Sequence, residues 1–139
     1  VIKLLKRIKE EFTSIETNTY GIKRWSPNVN NENYKETREH YYYYICAKFN
    51  KCLKNSVVCA AYFIFLNKTG FRGMYRENSK GRYNIPYGLK DTDKIPSIYD
   101  ENQLKKISQL IQHVKFQCMS FDEYITSAKV KEQKELLLN

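Results

Sequence analysis

Phe65–Gly88 reads FLNKTGFRGMYRENSKGRYNIPYG, and no other stretch is as dense in glycine, arginine and aromatic residues at fixed offsets. It starts at the end of an apolar run, turns at Gly70 and places Arg72, Arg76 and Arg82 within eleven residues. Asn78-Ser79-Lys80-Gly81 is a polar, glycine-ending cluster between two short segments of strand-forming residues. That pattern predicts a protruding β-hairpin at about 73–87. A hairpin carrying Arg76 and Arg82 beside Tyr75, Tyr83 and Tyr87 has the make-up of a finger for a nucleic-acid groove. Guanidinium forks bond phosphates and guanine edges, and rings wedge or stack.

Working outward, Val57 to Asn67 is apolar on nearly every side, which assigns it to a helix at the centre of a bundle. Lys68-Thr69-Gly70 ends it, with Gly70 read as a left-handed terminator. The hairpin therefore leaves the most buried helix directly. Upstream, Tyr34 to Leu53 carries Tyr42, Ile45, Cys46, Phe49 and Leu53 on one stripe and lysines off it, a second helix. The Tyr41–Tyr44 run puts rings all round one turn and is read mostly as scaffold. At the start, Ile2, Leu5, Ile8 and Phe12 recur at three- and four-residue steps with basic residues between them, an amphipathic surface helix. Thr13 to Asn33, with Gly21 and Pro27, is a long loop in which Lys23, Arg24 and Trp25 either touch nucleic acid or, for Trp25, anchor locally.

Downstream, Leu89 to Tyr99 is a loop, and Asp100 caps a helix through about Gln112, with Leu104, Ile107, Leu110 and Ile111 facing inward. Val114 to Met119 alternates like a short strand. Ser120-x-x-Glu123 is a capping box that opens a fifth helix at Phe121. The expected architecture is mainly α, about five helices with one protruding β-hairpin, as a single domain over 1–128 followed by a charged tail over 129–139.

The 139 residues suffice for one domain with a modest core. The formal net charge is +9, and 12 residues are tyrosine, a combination that suits a polyanionic partner. A lysine- and asparagine-rich coding bias is the alternative source of part of that charge. Cys46, Cys52, Cys59 and Cys118 form no CxxC pair and have no histidines at zinc spacing, so no metal site is expected. All four read as reduced core or near-surface thiols of an intracellular protein. His40 and His113 are isolated and read as exposed or capping. The longest apolar run, Val57 to Leu66, falls short of the ~18 residues that span a bilayer.

The run from Leu66 through Gly88 resembles, without a gap, the pattern LNxxGYNGLxRxNxxGxFNVPFG of Dam-type site-specific DNA adenine N6-methyltransferases. Weaker similarity extends upstream over YYYYICAKFN (Tyr41 to Asn50, against YxxxRxxFN) and downstream over Phe116 to Phe121. The resemblance implies the target-recognition domain of an α/β methyltransferase, acting on double-stranded DNA and assisting base flipping. It implies Phe71 as the wedge that fills the gap left by an extruded adenine. Arg76 matches the arginine that reads a guanine of a GATC-type site, worth ~1–3 kcal/mol of discrimination. Met74 and Pro86 match apolar contacts to base pairs. Arg72 departs from the family's asparagine, and its longer charged side chain suits a phosphate. Lys68, Lys80 and Arg82 read as phosphate-facing. Asn67, Asn78 and Asn84 read as turn and cap residues, with Asn84 kept in the DNA-facing set. On the residues alone, Phe71 as a surface hydrophobe and Arg76 as a solvated arginine stay open.

Two elements that the family needs for methyl transfer do not occur in the 139 residues: a PFxGG-type loop for S-adenosylmethionine and an Asp-Pro-Pro-Tyr segment. Asp122-Glu123-Tyr124 is a helix start. No catalytic, cofactor-binding or metal-ligating residue is therefore expected in this chain, although the intact parent would use S-adenosylmethionine. The expected partners are duplex DNA and the rest of a methyltransferase or a larger assembly. A degenerate, non-catalytic DNA-binding or structural protein derived from such an enzyme is the alternative. The chain starts at Val1 rather than Met and reads as a piece of something longer.

Overall fold

The structure, a computed structural model, describes residues 1–15, 37–89 and 94–127. The long loop with Lys23, Arg24 and Trp25, and the tail Lys129–Asn139, lie outside those residues. The chain divides into two compact units, Val1–Leu104 and Lys105–Asn139.

In the first unit, helix α1 (Ile2–Thr13) buries Leu5, Ile8 and Phe12. Their spacing makes one stripe and leaves Lys3, Lys6, Arg7 and Lys9 in solvent. Helix α2 (Arg38–Phe49) starts at Thr37, whose hydroxyl oxygen accepts the His40 N–H at 3.0 Å. It is shorter than the expected 34–53. Leu53, expected on its buried stripe, lies beyond the helix in the following turn and is 82% exposed. His40, expected to be exposed or capping, is buried in the first turn of α2.

Helix α3 (Val57–Thr69) is capped by Ser56, which accepts the Cys59 N–H at 3.1 Å. It runs two residues past the expected end, because the Thr69 hydroxyl folds back to donate to the Phe65 carbonyl at 2.8 Å and is wholly buried there. α3 packs against both α1 and α2. Its Ala61, Phe65 and Leu66 face the core, whereas Val57, Val58 and Phe63 are exposed, so the helix is central without being buried all round. The three helices meet through rings: Phe65 stands edge-on to Phe12 at 5.2 Å and to Tyr41 at 5.9 Å. Such T-shaped pairs match the positive ring edge to the negative face. The tyrosine run divides by helical angle, with Tyr41 and Tyr42 buried and Tyr43 and Tyr44 half-buried.

Gly70 ends α3 in an extended conformation, φ −78° and ψ 160°, and not in the expected left-handed one. Its lack of a side chain answers crowding instead: a Cβ would meet the Leu66 carbonyl oxygen at 2.7 Å and the Tyr42 hydroxyl at 2.9 Å. The left-handed residues come next. Phe71–Gly73 form a 3-10 turn in which Arg72 has φ 54° and Gly73 φ 63°.

The expected hairpin strands do not form. Over 70–88 the chain makes two isolated antiparallel bridges, Gly70 with Tyr87 and Glu77 with Tyr83, and no sheet occurs among the described residues. Three local features oppose a regular ladder and a sheet. The Asn78 side chain accepts the N–H groups of Lys80 and Arg82, fixing the tip as a side-chain turn. Pro86 has no N–H to give a ladder. The outward backbone groups of Tyr83, which a third strand would use, are both taken by the Asn50 side chain.

A further correction concerns the thiols. Cys52 and Cys59, expected to be separate and reduced, are joined in a disulfide with Cα atoms 5.7 Å apart, brought together by the turn between α2 and α3. Cys46 (buried) and Cys118 (exposed) are free.

Helix α4 (Glu101–Leu110) begins at Asp100, whose carboxylate accepts the Gln103 N–H at 3.0 Å. Leu104 is half-buried against the first unit's core, but Ile107, Leu110 and Ile111, expected to face inward, are exposed. In the second unit, the expected strand over 114–119 has no regular structure. The capping box is present: Glu123 accepts the Ser120 N–H at 2.8 Å, and the Ser120 hydroxyl oxygen accepts the Glu123 N–H at 3.3 Å. These two bonds satisfy two of the free donors of a helix start, and the Ser120 backbone N–H first, with the Ser120 hydroxyl next, holds the Glu123 carboxyl below its usual range. The helix they open, α5, is described over 121–127.

Candidate nucleic-acid interface

Residues 82–88 alternate as an extended segment with one face in the core and one in solvent. Tyr83, Ile85 and Tyr87 are buried, while Arg82, Asn84, Pro86 and Gly88 are exposed. This two-residue period is the strand pattern without a sheet to host it. Three polar anchors replace the sheet. Asn50 bonds both backbone groups of Tyr83. The Tyr42 hydroxyl donates to the Ile85 carbonyl at 2.9 Å. The Gly88 N–H donates to the Thr69 carbonyl at 2.9 Å, beside the Phe71 N–H on the Pro86 carbonyl at 2.9 Å.

The inner face is aromatic. Tyr83 stands against Phe49 at 5.6 Å and Tyr75 at 5.7 Å; Tyr75 meets Phe63 at 5.8 Å, and Phe63 returns to Phe49 at 6.2 Å. These four rings form a closed circuit under the loop, with a cleft of about 440 Å³ beside it that Phe49, Phe63, Tyr75 and Glu77 help to line. Burial first, and the neighbouring Cys46 and Tyr83 next, push the Tyr42 phenol far above its ordinary value. Burial pushes Tyr87 up to about 12, against the opposing pull of Arg38. Tyr75 is raised chiefly by donating its hydroxyl to the Glu77 carboxylate. None of these phenols ionises at neutral pH, so the inner face works as scaffold.

The outer face carries the eight residues expected to meet DNA, whereas Tyr83 and Tyr87, expected to wedge or stack beside them, are buried on the inner face. Phe71, Arg72, Met74, Arg76, Lys80, Arg82, Asn84 and Pro86 are all exposed. Phe71 stands at the end of α3, 44% exposed, with the Arg72 guanidinium over its ring at 5.1 Å. Asn67 holds this turn from below, its amide donating to the Gly73 carbonyl at 2.6 Å. Arg76 and Asn84 face each other across the Glu77–Tyr83 bridge, with Arg76 Nε on Asn84 Oδ1 at 3.0 Å. The loop thus presents a row of cations interrupted by the apolar side chains of Phe71, Met74 and Pro86, on a base tied into the core. Such an arrangement suits phosphates and base edges.

Sequence reasoning missed Asn50 as a support for the loop. The signal available was its place in the family-like FN pair, but a helix read through to Leu53 put Asn50 in the helix interior and gave it no such role. It also missed the pairing of Asn84 with Arg76, because a contact across an eight-residue loop depends on register. Among the described residues, no group of three or more His, Cys, Asp or Glu comes together for a metal ion. No described helix is long and apolar enough to cross a membrane.

Comparison with known proteins adds an independent line. Residues 1–134 match the model of the D12 class N6 adenine-specific DNA methyltransferases. The chain is 36% identical over 130 residues to the Type II methyltransferase M.MjaIII of Methanocaldococcus jannaschii, covering 90% of this chain and 38% of that protein. It is 36% identical over 94 residues to the retron Ec67 DNA adenine methylase of Escherichia coli, covering 67% of this chain and 32% of the relative. With a DNA adenine methylase of Vibrio cholerae it shares 29% identity over 110 residues, 79% of this chain and 36% of that one. The chain spans about a third of the length of these curated relatives.

Proposed function

The chain belongs to the D12 class of N6 adenine-specific DNA methyltransferases, and from that membership we propose that it is the part that grips duplex DNA and reads a short site. The observation that carries this reading is the 70–88 loop. Its inner face is fixed by Tyr83, Ile85 and Tyr87, and Arg72, Arg76, Lys80 and Arg82 are exposed along it among the apolar tips of Phe71, Met74 and Pro86. Arg76 acts as the base reader, with a guanidinium fork suited to guanine O6 and N7. Met74 and Pro86 make apolar contacts to neighbouring base pairs. Arg72, Lys80 and Arg82 face phosphates, and Asn84 lies on the same DNA-facing surface. Phe71 fills the stack when adenine leaves it, offsetting part of an unstacking cost of a few kcal/mol. A DNA substrate puts the protein in the compartment that holds the DNA.

The family's methyl donor is S-adenosylmethionine, and the described residues do not fit it. A glycine-rich cradle needs backbone open to a ligand. Gly70 and Gly88 instead press against each other and against Phe71, while Gly73 and Gly81 serve left-handed turns. We assign no step of methyl transfer to these residues, among which no Asp-Pro-Pro-Tyr segment occurs.

The test is fluorescence anisotropy of the 139-residue chain on a GATC duplex and a scrambled duplex at two salt concentrations, with Arg76→Ala alongside. Tighter binding to GATC that Arg76→Ala erases supports site reading. Equal binding that collapses with salt leaves only the phosphate contribution and favours a degenerate, non-catalytic binder. No binding at low salt overturns the assignment.

A further inference from the structure

Arg76 and Asn84 are joined three times. The Asn84 N–H donates to the Arg76 carbonyl at 3.2 Å. Arg76 Nε donates to Asn84 Oδ1 at 3.0 Å, and Arg76 Nη2 reaches the Asn84 carbonyl at 3.5 Å. A guanidinium offers two forks, a side fork of Nε and Nη2 and an end fork of Nη1 and Nη2. Asn84 takes the side fork, which leaves the end fork of the exposed Arg76 for a ligand. Arginine side chains carry much rotamer freedom, and fixing one before binding removes that cost from the bound state.

Asn84 is itself held on both flanks. Asn50 clamps Tyr83, and the Tyr42 hydroxyl clamps the Ile85 carbonyl. The support therefore runs from the helical core, through 83–85, to one arginine fork. Both loop residues are exposed, so their mutual bonds are not forced by burial.

We infer that Asn84 is a specificity-determining positioning residue, which orients the Arg76 end fork towards a base edge and does not itself bond a phosphate. This rests on the reading of Arg76 as a base reader. The two roles separate physically. A lost phosphate contact weakens binding to all sequences and lowers the salt slope, whereas a lost base-reading geometry relaxes discrimination alone.

The experiment is anisotropy on the GATC and scrambled duplexes across a salt series for the unaltered chain, Asn84→Ala, Asn84→Asp and Arg76→Ala, with thermal unfolding of each. Asn84→Ala is expected to cut the preference for GATC by about 5- to 20-fold, with scrambled-duplex affinity within about twofold and the salt slope unchanged. Asn84→Asp keeps an acceptor for Nε. It should retain the preference while weakening both duplexes through its negative charge. If Asn84→Ala weakens both duplexes equally and lowers the salt slope by about one, Asn84 is a phosphate contact and the inference is overturned. It is also overturned if Asn84→Ala changes nothing, or if folded Asn84→Asp loses the preference. If Arg76→Ala keeps the preference, it is the base-reader assignment that fails. Should Asn84→Ala not fold, the Asp variant decides alone.

Discussion

Asn50 holds Tyr83 by both of its backbone polar groups: its Oδ1 accepts the Tyr83 N–H at 2.8 Å, and its Nδ2 donates to the Tyr83 carbonyl at 3.1 Å. One amide side chain thus performs the pairing that a neighbouring strand gives in a sheet. Asn50 sits at the C-terminal cap of α2, where its own N–H bonds the Cys46 carbonyl at 3.0 Å. The helix end and the 70–88 loop are therefore fixed by the same residue.

Asn50→Ala removes both bonds and leaves the Tyr83 N–H and carbonyl without them. Two lost hydrogen bonds, partly compensated by water, predict a destabilisation of about 2–3 kcal/mol, read as a lowered urea midpoint. Amide exchange of Tyr83 should rise more than that of Phe65 in α3. An unchanged Tyr83 exchange rate would mean that the ring packing alone holds the segment.

The helical part of this fold is legible in the sequence because its signals are local. The α1 stripe, the Asp100 cap and the Ser120–Glu123 box each follow from residues three or four apart. The hairpin reading went too far for an instructive reason. The period-two pattern of Tyr83, Ile85 and Tyr87 is real, but it records burial on one face and carries no information about a partner strand. The partner is a side chain 33 residues away. The resemblance picked out eight residues that all prove exposed, yet the bond between Arg76 and Asn84 was not legible. The inward reading of Ile107, Leu110 and Ile111 failed because a helical stripe marks an apolar face without saying what covers it.

Two glycines in the loop should respond differently to the same change. At Gly88 an added Cβ meets the Gly70 carbonyl carbon and oxygen at 2.7 Å and the Phe71 Cα at 2.8 Å, all backbone atoms that cannot swing away. Gly88→Ala should cost about 2–3 kcal/mol, the upper range of overpacking. At Gly81 the space is open and only φ +66° opposes a side chain, so Gly81→Ala should cost about 1 kcal/mol. Unfolding midpoints in that order support the close approach of the two chain segments; the reverse order would contradict it.

Alkaline pH should unfold this protein from its core outward. Burial pushes the Cys46 thiol from near 9 up to about 12, with the Tyr42 hydrogen bond opposing, and pushes Tyr87 from near 10 to about 12. Both groups hold their protons more tightly when folded, so above pH 9 the unfolded chain binds fewer protons than the folded one. Stability contributed by these groups is complete below pH 9 and is lost as pH rises towards 12. Urea midpoints measured across that window should fall steadily. Cys46→Ala should move the onset of the fall up towards pH 10, where Tyr87 begins to contribute. A midpoint that stays flat above pH 10 would show that these groups are more open to solvent than their burial indicates.

Arg72 combines an unfavourable backbone with a favourable charge. Its φ of 54° and ψ of 20° lie in the left-handed region, where most side chains cost roughly 1–2 kcal/mol and asparagine is tolerated better. The DNA adenine methyltransferases that this stretch resembles carry asparagine at the corresponding position, which fits a turn whose conformation is shared and whose charge is not. Arg72→Asn should therefore stabilise the fold by about 0.5–1 kcal/mol, visible as a raised thermal midpoint. The same change removes one cation from the surface proposed to face DNA. It should lower the slope of log affinity against log salt by about one while leaving the preference between duplexes intact. Arg72→Lys separates the two effects, since it keeps the charge and the strained backbone and should match the unaltered chain in both measurements. A gain in stability with no change in salt slope would remove Arg72 from the phosphate-facing set and leave Lys80 and Arg82 to supply the contacts.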